Sequence, residues 1–210
     1  MKLIIEYQYF APSILYSTLC KFTHVEFEQY ETFQKRSFRN RLVLAGGAGA
    51  VALAIPLRGG RDQHSLTRDI IIDDRTKWQL SHWRTITSCY NRSPWFDYYR
   101  DELNEIYSTR FELLADWNLT CFEWALKKLG LRLTVSLTEQ WSTDYDESLN
   151  LDWRNKLLPG SIQSTFPMAP RYRQVFSERN GFLPHLSILD LLFCEGKNAG
   201  AILRGERTFH

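Results

Sequence analysis

The chain has 210 residues, of which 44% are hydrophobic and 24% are charged. This composition is typical of a folded globular protein and excludes an intrinsically disordered chain. The formal net charge is only +2. Overall charge therefore gives no reason to expect a nucleic-acid partner, and any basic function must come from local clustering. The length suits one α/β domain with a large core.

The cysteines are too scattered for a zinc site or a disulfide framework, because no C-x-x-C occurs and no histidine stands at metal-ligand spacing. They are Cys20, Cys89, Cys121 and Cys194. We therefore expect reduced thiols, no metal and a cytoplasmic protein. Glu6 interrupts the apolar run at the start of the chain, so we expect no signal peptide.

The first 33 residues predict a βαβ unit. An apolar run predicts a strand over Lys2–Tyr9, and Pro12 ends it. Ser13 can cap a helix that continues to about Phe22, since apolar residues recur at helical spacing. Alternating polar and apolar residues then predict a second strand over His24–Phe33.

The uncharged run Leu42–Leu57 predicts a β-hairpin. A membrane helix needs about 20 apolar residues, and this run is shorter and contains glycines at its centre. Val51, Leu53 and Ile55 alternate with alanines, which is a strand period. The glycines Gly46 to Gly49 lack the Lys-Ser/Thr of a phosphate-binding loop, so they indicate a hairpin turn and no nucleotide motif. We expect no transmembrane segment.

The second half is predicted to be mainly helical. We expect a short strand over Asp69–Asp73, three helices between Thr76 and Leu129, a strand over Leu131–Leu137 and a loop-rich stretch from Thr138 to Pro170. Ser187 and Asp190 fit a capping box before an apolar helix that Gly196 ends. The predicted fold is therefore α/β: a mixed sheet with a βαβ opening and a central hairpin, followed by several helices. We expect a single domain over residues 1–196 and a partly disordered tail over 197–210.

The most distinctive feature is a cationic segment, Lys35-Arg36-Ser37-Phe38-Arg39-Asn40-Arg41. If it is an extended strand, Lys35, Arg39 and Arg41 share one face. Desolvated cations need partners, and the guanidinium fork suits phosphate or carboxylate. The segment therefore predicts a site for an anionic small molecule, with Asn40 as a polar neighbour. The alternative is a solvated sheet edge that is kept positive against edge-to-edge pairing.

Five other residues are candidates for a site. Gln8 and Phe10 lie at the carboxyl end of the first strand, where ligands gather in open α/β sheets, although Pro12 and Ser13 can equally serve only to end the strand and cap the helix. His82 is a weak candidate for a general base, and Asp190 for a catalytic acid. A packed or exposed histidine and a capping carboxylate are the simpler interpretations of these two residues. His185 has the same standing as His82.

These segments, in this order, resemble the WbqC-like protein family. The resemblance is carried by Gln8-Tyr9-Phe10 with Pro12-Ser13, by Phe33 to Arg41, by Leu53 to Pro56, by Trp78 with His82-Trp83, by Tyr90 with Ser93 to Phe96, by Gly181 to Pro184, and by Leu186 to Phe193 with Gly196. It implies a bacterial protein of surface polysaccharide (O-antigen type) biosynthesis and an acyl or aminoacyl transfer to a sugar. It carries over no established catalytic residue.

Three functions follow as hypotheses. The first is a transferase that moves an acyl or aminoacyl group onto a sugar or nucleotide sugar, in which Lys35, Arg39 and Arg41 hold phosphates. The second is a non-catalytic scaffold protein of a polysaccharide assembly system, which requires exposed aromatic helices. The third is a nucleotidyl-transfer-like enzyme, suggested only by the βαβ opening. The sequence contains no metal or nucleotide motif, so it identifies no cofactor.

Overall fold

The computed structural model describes residues 1–60 and 62–207. It begins with the predicted βαβ unit: β1 (Lys2–Glu6), α1 (Ser13–Leu19) and β2 (His24–Glu28). β1 and β2 pair in parallel. The three central residues of β1 are apolar and buried because the strand lies between two neighbours inside the sheet. Pro12, rather than Ser13, occupies the cap position of α1, and no side chain caps this helix.

Two later strands complete a four-stranded parallel sheet. They are β5 (Thr134–Leu137), which pairs with β2, and β6 (Asn150–Asp152), which pairs with β1. The strand order is β5-β2-β1-β6, so the order along the chain reverses at β1. In open parallel sheets, this reversal opens a crevice beyond the carboxyl ends of the strands. β6 lies in the stretch that we expected to be loop-rich, and three residues are too few for periodicity to reveal a strand.

The predicted hairpin forms from β3 (Arg41–Gly46) and β4 (Gly49–Ala54), which turn at Gly47-Ala48. The two strands make a separate antiparallel sheet. A Cβ on Gly46 would lie only 2.6 Å from a Val51 methyl carbon, so this corner requires glycine.

The prediction of an extended cationic strand over Lys35 to Arg41 is wrong. Residues 35–40 form turns and bends, and only Arg41 belongs to a strand. Arg36 has a left-handed φ of 57°, which breaks any extended run. Polar bonds stabilise the bend instead: Ser37 Oγ donates to the Gln34 carbonyl at 2.7 Å, and Asn118 Nδ2 donates to the Arg39 carbonyl at 2.7 Å. The alternation that placed Lys35, Arg39 and Arg41 on one face therefore does not exist.

The helical region consists of α2 (Trp78–Tyr90), α3 (Phe96–Ser108) and α4 (Leu114–Leu129), and it confirms the three predicted helices. Gly130 ends α4 with a φ of 66°. The expected strand near Ile71 is reduced to isolated bridges beside a 3₁₀ turn at Thr67–Asp69. Two short helices follow, α5 (Ile162–Thr165) and α6 (Ser177–Asn180). No described helix is both long and apolar enough to cross a membrane.

The closing helices are α7 (Ile188–Glu195) and, after a 3₁₀ turn at Gly196–Asn198, α8 (Ala199–Leu203). Ser187 caps α7 by accepting the Leu189 amide, as predicted. Part of the expected tail is helical instead of irregular, because α8 buries Ile202 and Leu203 against the core. Residues 208–210 of that tail lie outside the described part of the chain.

Candidate functional site

Four of the cationic-segment residues line one concave surface, which we call the cationic cleft. Its lining comprises Phe33, Lys35, Arg36, Asn40, Arg41, Ala54, Pro159 and Gly160, and its volume is about 530 Å³. None of the described residues in this lining is acidic. Lys35 Nζ bonds Asp62 Oδ1 at 2.5 Å across an exposed surface. Such an exposed pair is weak, so Lys35 remains able to bind another anion.

Asn40 shapes the wall of the cationic cleft. Its side-chain amide donates to the Ile55 carbonyl at 2.9 Å, and its own carbonyl accepts the Ile55 amide at 2.8 Å. These two bonds fix the end of β4 beside the cationic segment. Asn40 therefore positions Ala54 and Arg41, and its side-chain Nδ2 is held by the Ile55 carbonyl.

Arg39 does not reach the cationic cleft. Its side chain is fully buried, and Nη2 donates to Glu31 Oε1 and, at 2.9 Å, to Asn155 Oδ1. Burial raises the pKa of Glu31, as does the nearby charge of Glu6, while the charge of Arg39 lowers it. Arg39 therefore acts as an internal partner for a buried carboxylate.

Asn155 joins the carboxylate of Glu6, at the end of β1, to that of Glu31, which follows β2. Its backbone amide donates to Glu6 Oε2 at 2.9 Å, and its side-chain amide donates to Glu31 Oε2 at 3.2 Å. Asn155 adopts a left-handed φ of 59°, which asparagine tolerates better than most residues. We call Glu6, Gln8, Glu31, Arg39 and Asn155 the carboxyl-edge cluster.

The carboxyl-edge cluster contains buried polar atoms that lack partners among the described residues. Gln8 Nε2 donates to Glu6 Oε1 at 3.0 Å, but Gln8 Oε1 is unpaired, as are Arg39 Nε and Nη1. An unpaired carbonyl oxygen and unpaired N–H groups can be satisfied together by a hydroxyl or a water, which both accepts and donates. Gln8 and Arg39 thus supply the unpaired atoms of this cluster, and neither residue lines the cationic cleft.

His82 lines a second concavity, the His82 cleft, of about 340 Å³. Ala54 belongs to the lining of both clefts, so they adjoin. The Nδ1 atom of His82 lies 3.1 Å from the Tyr9 hydroxyl, which lies 2.5 Å from the Tyr107 hydroxyl. Burial lowers the pKa of His82 to about 4. The imidazole is therefore neutral near pH 7, as a general base must be.

Phe10 and the start of α1 have no access to a ligand. Phe10 is fully buried, and its ring packs edge-on against Trp124 at 5.8 Å. The Leu186 carbonyl accepts the Ser13 amide at 3.1 Å, and the Ser187 hydroxyl donates to the Phe10 carbonyl at 2.8 Å. The chain before α7 thus covers the position where an anion would meet α1.

Asp190 is held by two tyrosines. The hydroxyls of Tyr90 and Tyr172 each donate to its carboxylate at 2.7 Å, and burial raises its pKa to about 6. Its side chain bonds these hydroxyls instead of capping the backbone of α7. His82 and Tyr90 are eight residues apart on α2, which is about 12 Å along a helix. Asp190 and His82 therefore belong to two separate hydrogen-bond groups, and Asp190 is not the partner of the imidazole.

Sequence reasoning missed four residues that contribute to these surfaces. Arg36 would lie on the face opposite to Lys35, Arg39 and Arg41 in an extended strand, but this strand does not form. Pro159 and Gly160 come from the stretch without regular signal, and they line the cationic cleft. Asn155 follows β6 and has no motif of its own. Only long-range contacts bring these residues together, so no local pattern could have identified them.

The comparisons with known proteins agree with the resemblance. The model of the WbqC-like protein family matches residues 9–158, which include the cationic segment and His82 but exclude α7. A relative from Mycobacterium tuberculosis (strain ATCC 25618 / H37Rv), the uncharacterized protein Rv1507c, is 26% identical over 209 residues, covering 85% of this chain and 87% of its own length. No solved structure matches the chain significantly. Because the matched region spans well over half of the sequence, this chain belongs to the WbqC-like protein family.

Proposed function

We propose that the protein is a transferase of surface polysaccharide biosynthesis, which moves an acyl or aminoacyl group onto a sugar or nucleotide sugar. The observation that carries this proposal is the junction of the two clefts at Ala54, which places a cationic surface beside a neutral imidazole. The acidic phosphates of the substrate occupy the cationic cleft. Its reacting hydroxyl or amine enters the His82 cleft.

Charge supports an anionic substrate in the cationic cleft. Arg36 and Arg41 both line it, and within the described chain neither guanidinium makes a salt bridge. Unpaired arginines that border a concavity suit the bidentate recognition of phosphate. The carboxyl-edge cluster is the less suitable place for an anion, because its carboxylates Glu6 and Glu31 would repel it.

The chemistry assigned to His82 requires one tautomer. The imidazole also bonds the backbone of Ala54, and a substrate hydroxyl or amine must replace that bond. When Nδ1–H donates to Tyr9 and Tyr9 donates to Tyr107, the Nε2 lone pair then accepts the proton. The sugar hydroxyl or amine then attacks the acyl carbon, the new C–O or C–N bond forms, and the bond to the acyl carrier breaks. The proton passes from the nucleophile to His82 and then to the departing carrier group.

The scaffold hypothesis has less support, because most of the aromatic residues it needs are not on the surface. Trp78, Phe96 and Tyr99 are buried in the core, and Trp83 is partly buried against it. Tyr98, which is 58% exposed, is the main exception in α3. The nucleotidyl-transfer hypothesis rests on the parallel sheet alone, and the start of α1 is covered.

Titration calorimetry with a nucleotide sugar tests the proposal, with the uncharged parent sugar as the ligand control. We expect Arg36→Gln and Arg41→Gln each to weaken binding by about tenfold or more, because hydrogen bonds to charged groups contribute about 1.5–3 kcal/mol. Arg84→Gln, on the exposed side of α2, serves as the matched control and should leave binding unchanged. Equal binding by all three variants would overturn the assignment of the cationic cleft.

Group transfer is tested separately, by mass spectrometry of the sugar after incubation with an activated acyl or aminoacyl donor. His82→Gln should abolish transfer while leaving binding of the nucleotide sugar intact. Transfer at the normal rate by this variant would contradict the role of His82.

A further inference from the structure

Another concavity shares no lining residue with either cleft and has no part in the proposed transfer. It is bordered by α1, by residues 167–171, by residues 182–184 and by the end of α8, and its volume is about 870 Å³. Pockets of drug-sized ligands measure about 300–1,000 Å³. We call this concavity the basic groove.

The lining of the basic groove combines an apolar floor with a basic rim. Ile202 and Leu203 of α8 lie at the bottom, where they are 5% and 3% exposed. Lys21, Arg171 and Arg207 are exposed residues of the same lining. None of the described residues that line it is acidic. An occupant that complements this groove therefore has an apolar part and a negative charge.

Arg171 is positioned to serve such an occupant. Its guanidinium lies 5.0 Å from the centre of the Phe182 ring, and both residues line the groove. Stacking on an aromatic ring orients the guanidinium while leaving its N–H groups available for an anion. The described structure gives Arg171 no salt bridge.

A buried histidine, His185, lies next to the lining of the basic groove. His185 follows the lining residue Pro184, is 5% exposed and adopts a left-handed φ of 56°. Its ring lies beside the Phe166 backbone, but neither ring nitrogen makes a well-aligned hydrogen bond within the described residues. Backbone strain and unpaired buried polar atoms are both features that concentrate at ligand sites.

We propose that the basic groove binds an amphiphilic anion, a single molecule with an apolar chain and a carboxylate or phosphate head. The chain lies on Ile202 and Leu203, and the head meets Arg171 and Lys21. A membrane surface fits less well, because these apolar residues lie at the bottom of a concavity that a flat bilayer cannot reach. The proposal is independent of the transfer chemistry.

Calorimetry with decanoate and with decyl phosphate tests this proposal on the full chain. Both probes should bind saturably, whereas decanol and acetate, which lack the charge or the chain, should bind at least tenfold more weakly. Arg171→Gln should weaken decanoate binding by about tenfold, by the same charge-assisted bonding. Met168→Asp, at an exposed lining residue, should weaken it as well. Arg173→Gln, two residues along and outside the lining, should not.

Chemical-shift mapping by NMR locates the probe. Changes centred on α8, Phe182 and His185 would support the proposal, and changes confined to the cationic cleft would overturn it. Equal binding of decanol and decanoate would overturn the ionic part. Binding to vesicles of phosphatidylglycerol without saturable binding of decanoate would overturn the choice of a single molecule over a bilayer. Arg41→Gln should leave decanoate binding unchanged, which separates this result from any failure of the proposed function.

Discussion

The hydroxyl of Tyr9 lies 3.1 Å from Nδ1 of His82, although 73 residues separate them in the chain. Tyr9 comes from the loop after β1, and His82 from the second turn of α2. This bond connects the sheet to the helical layer and orients the imidazole that lines the His82 cleft. The Tyr9 hydroxyl also bonds the Tyr107 hydroxyl, so the loss of the Tyr9 hydroxyl affects two buried polar groups.

Tyr9→Phe should lower the free energy of unfolding by about 1–3 kcal/mol, since it leaves buried polar groups of His82 and Tyr107 without their partner. Urea denaturation measures the change. Tyr98→Phe is the matched control, because Tyr98 is 58% exposed, and its stability should equal that of the wild type. A Tyr9→Phe protein as stable as this control would show that the hydrogen bond has no net effect.

His82 should make the protein sensitive to acid. Burial lowers its pKa from 6.5 to about 4, so the unfolded state binds a proton more readily than the folded state between these values. The stability that neutral His82 contributes is therefore present above about pH 6.5 and lost as the pH falls toward 4. We expect His82→Gln to reduce the fall in urea midpoint over this range. An identical pH profile in the variant would contradict the lowered pKa.

Asp190 should change the stability with pH in the direction opposite to His82. Burial raises its pKa from 3.8 to about 6, so the folded state holds the proton more tightly than the unfolded state. Its contribution is present below about pH 4 and is lost as the pH rises toward 6, with a magnitude on the order of 3 kcal/mol. As the pH rises, the urea midpoint of the wild type should fall relative to that of Asp190→Asn. A difference that is constant with pH would refute this.

Arg39→Met should destabilise the protein by about 3–5 kcal/mol, because it leaves the buried carboxylate of Glu31 without its cation. Arg36→Met, at an exposed position of the same segment, is the matched control and should change the stability by no more than about 0.5 kcal/mol. Adding Glu31→Leu to Arg39→Met should restore part of the loss, which a double-mutant cycle measures. If Arg39→Met is no worse than Arg36→Met, the ion pair does not stabilise the fold.

Gly196→Ala should strongly destabilise the end of α7. An added Cβ would lie 2.0 Å from Cδ2 of Trp95, and the φ of Gly196 is 52°. Gly205→Ala is a matched control, since its φ is 73° but nothing lies within 4 Å of its Cβ position. The control should lose only about 1–2 kcal/mol from the left-handed backbone. Thermal denaturation of both variants separates the cost of the backbone strain from the cost of the overlap with Trp95. Equal losses of stability in the two variants would show that Trp95 moves aside.

The sequence by itself determined the elements that have strong local patterns. The βαβ opening, the hairpin with its glycine turn and the three long helices all appear where periodicity and turn residues predicted them. The motifs also identified the family correctly: those from Tyr9 to Phe96 lie in the region that the family model matches, whereas those after Gly181 lie beyond it. β6 escaped prediction because a strand of three residues has no period to detect.

The tertiary structure alone decided how the cationic segment is used. From the sequence, Lys35, Arg39 and Arg41 were equivalent members of one face. The left-handed turn at Arg36 and the bonds from Ser37 and Asn118 bend the chain, so Arg39 points inward to Glu31. The physical reason is the cost of burying Glu31 without a cation. That carboxylate lies beyond the end of β2, and no local pattern in residues 35–41 reveals it.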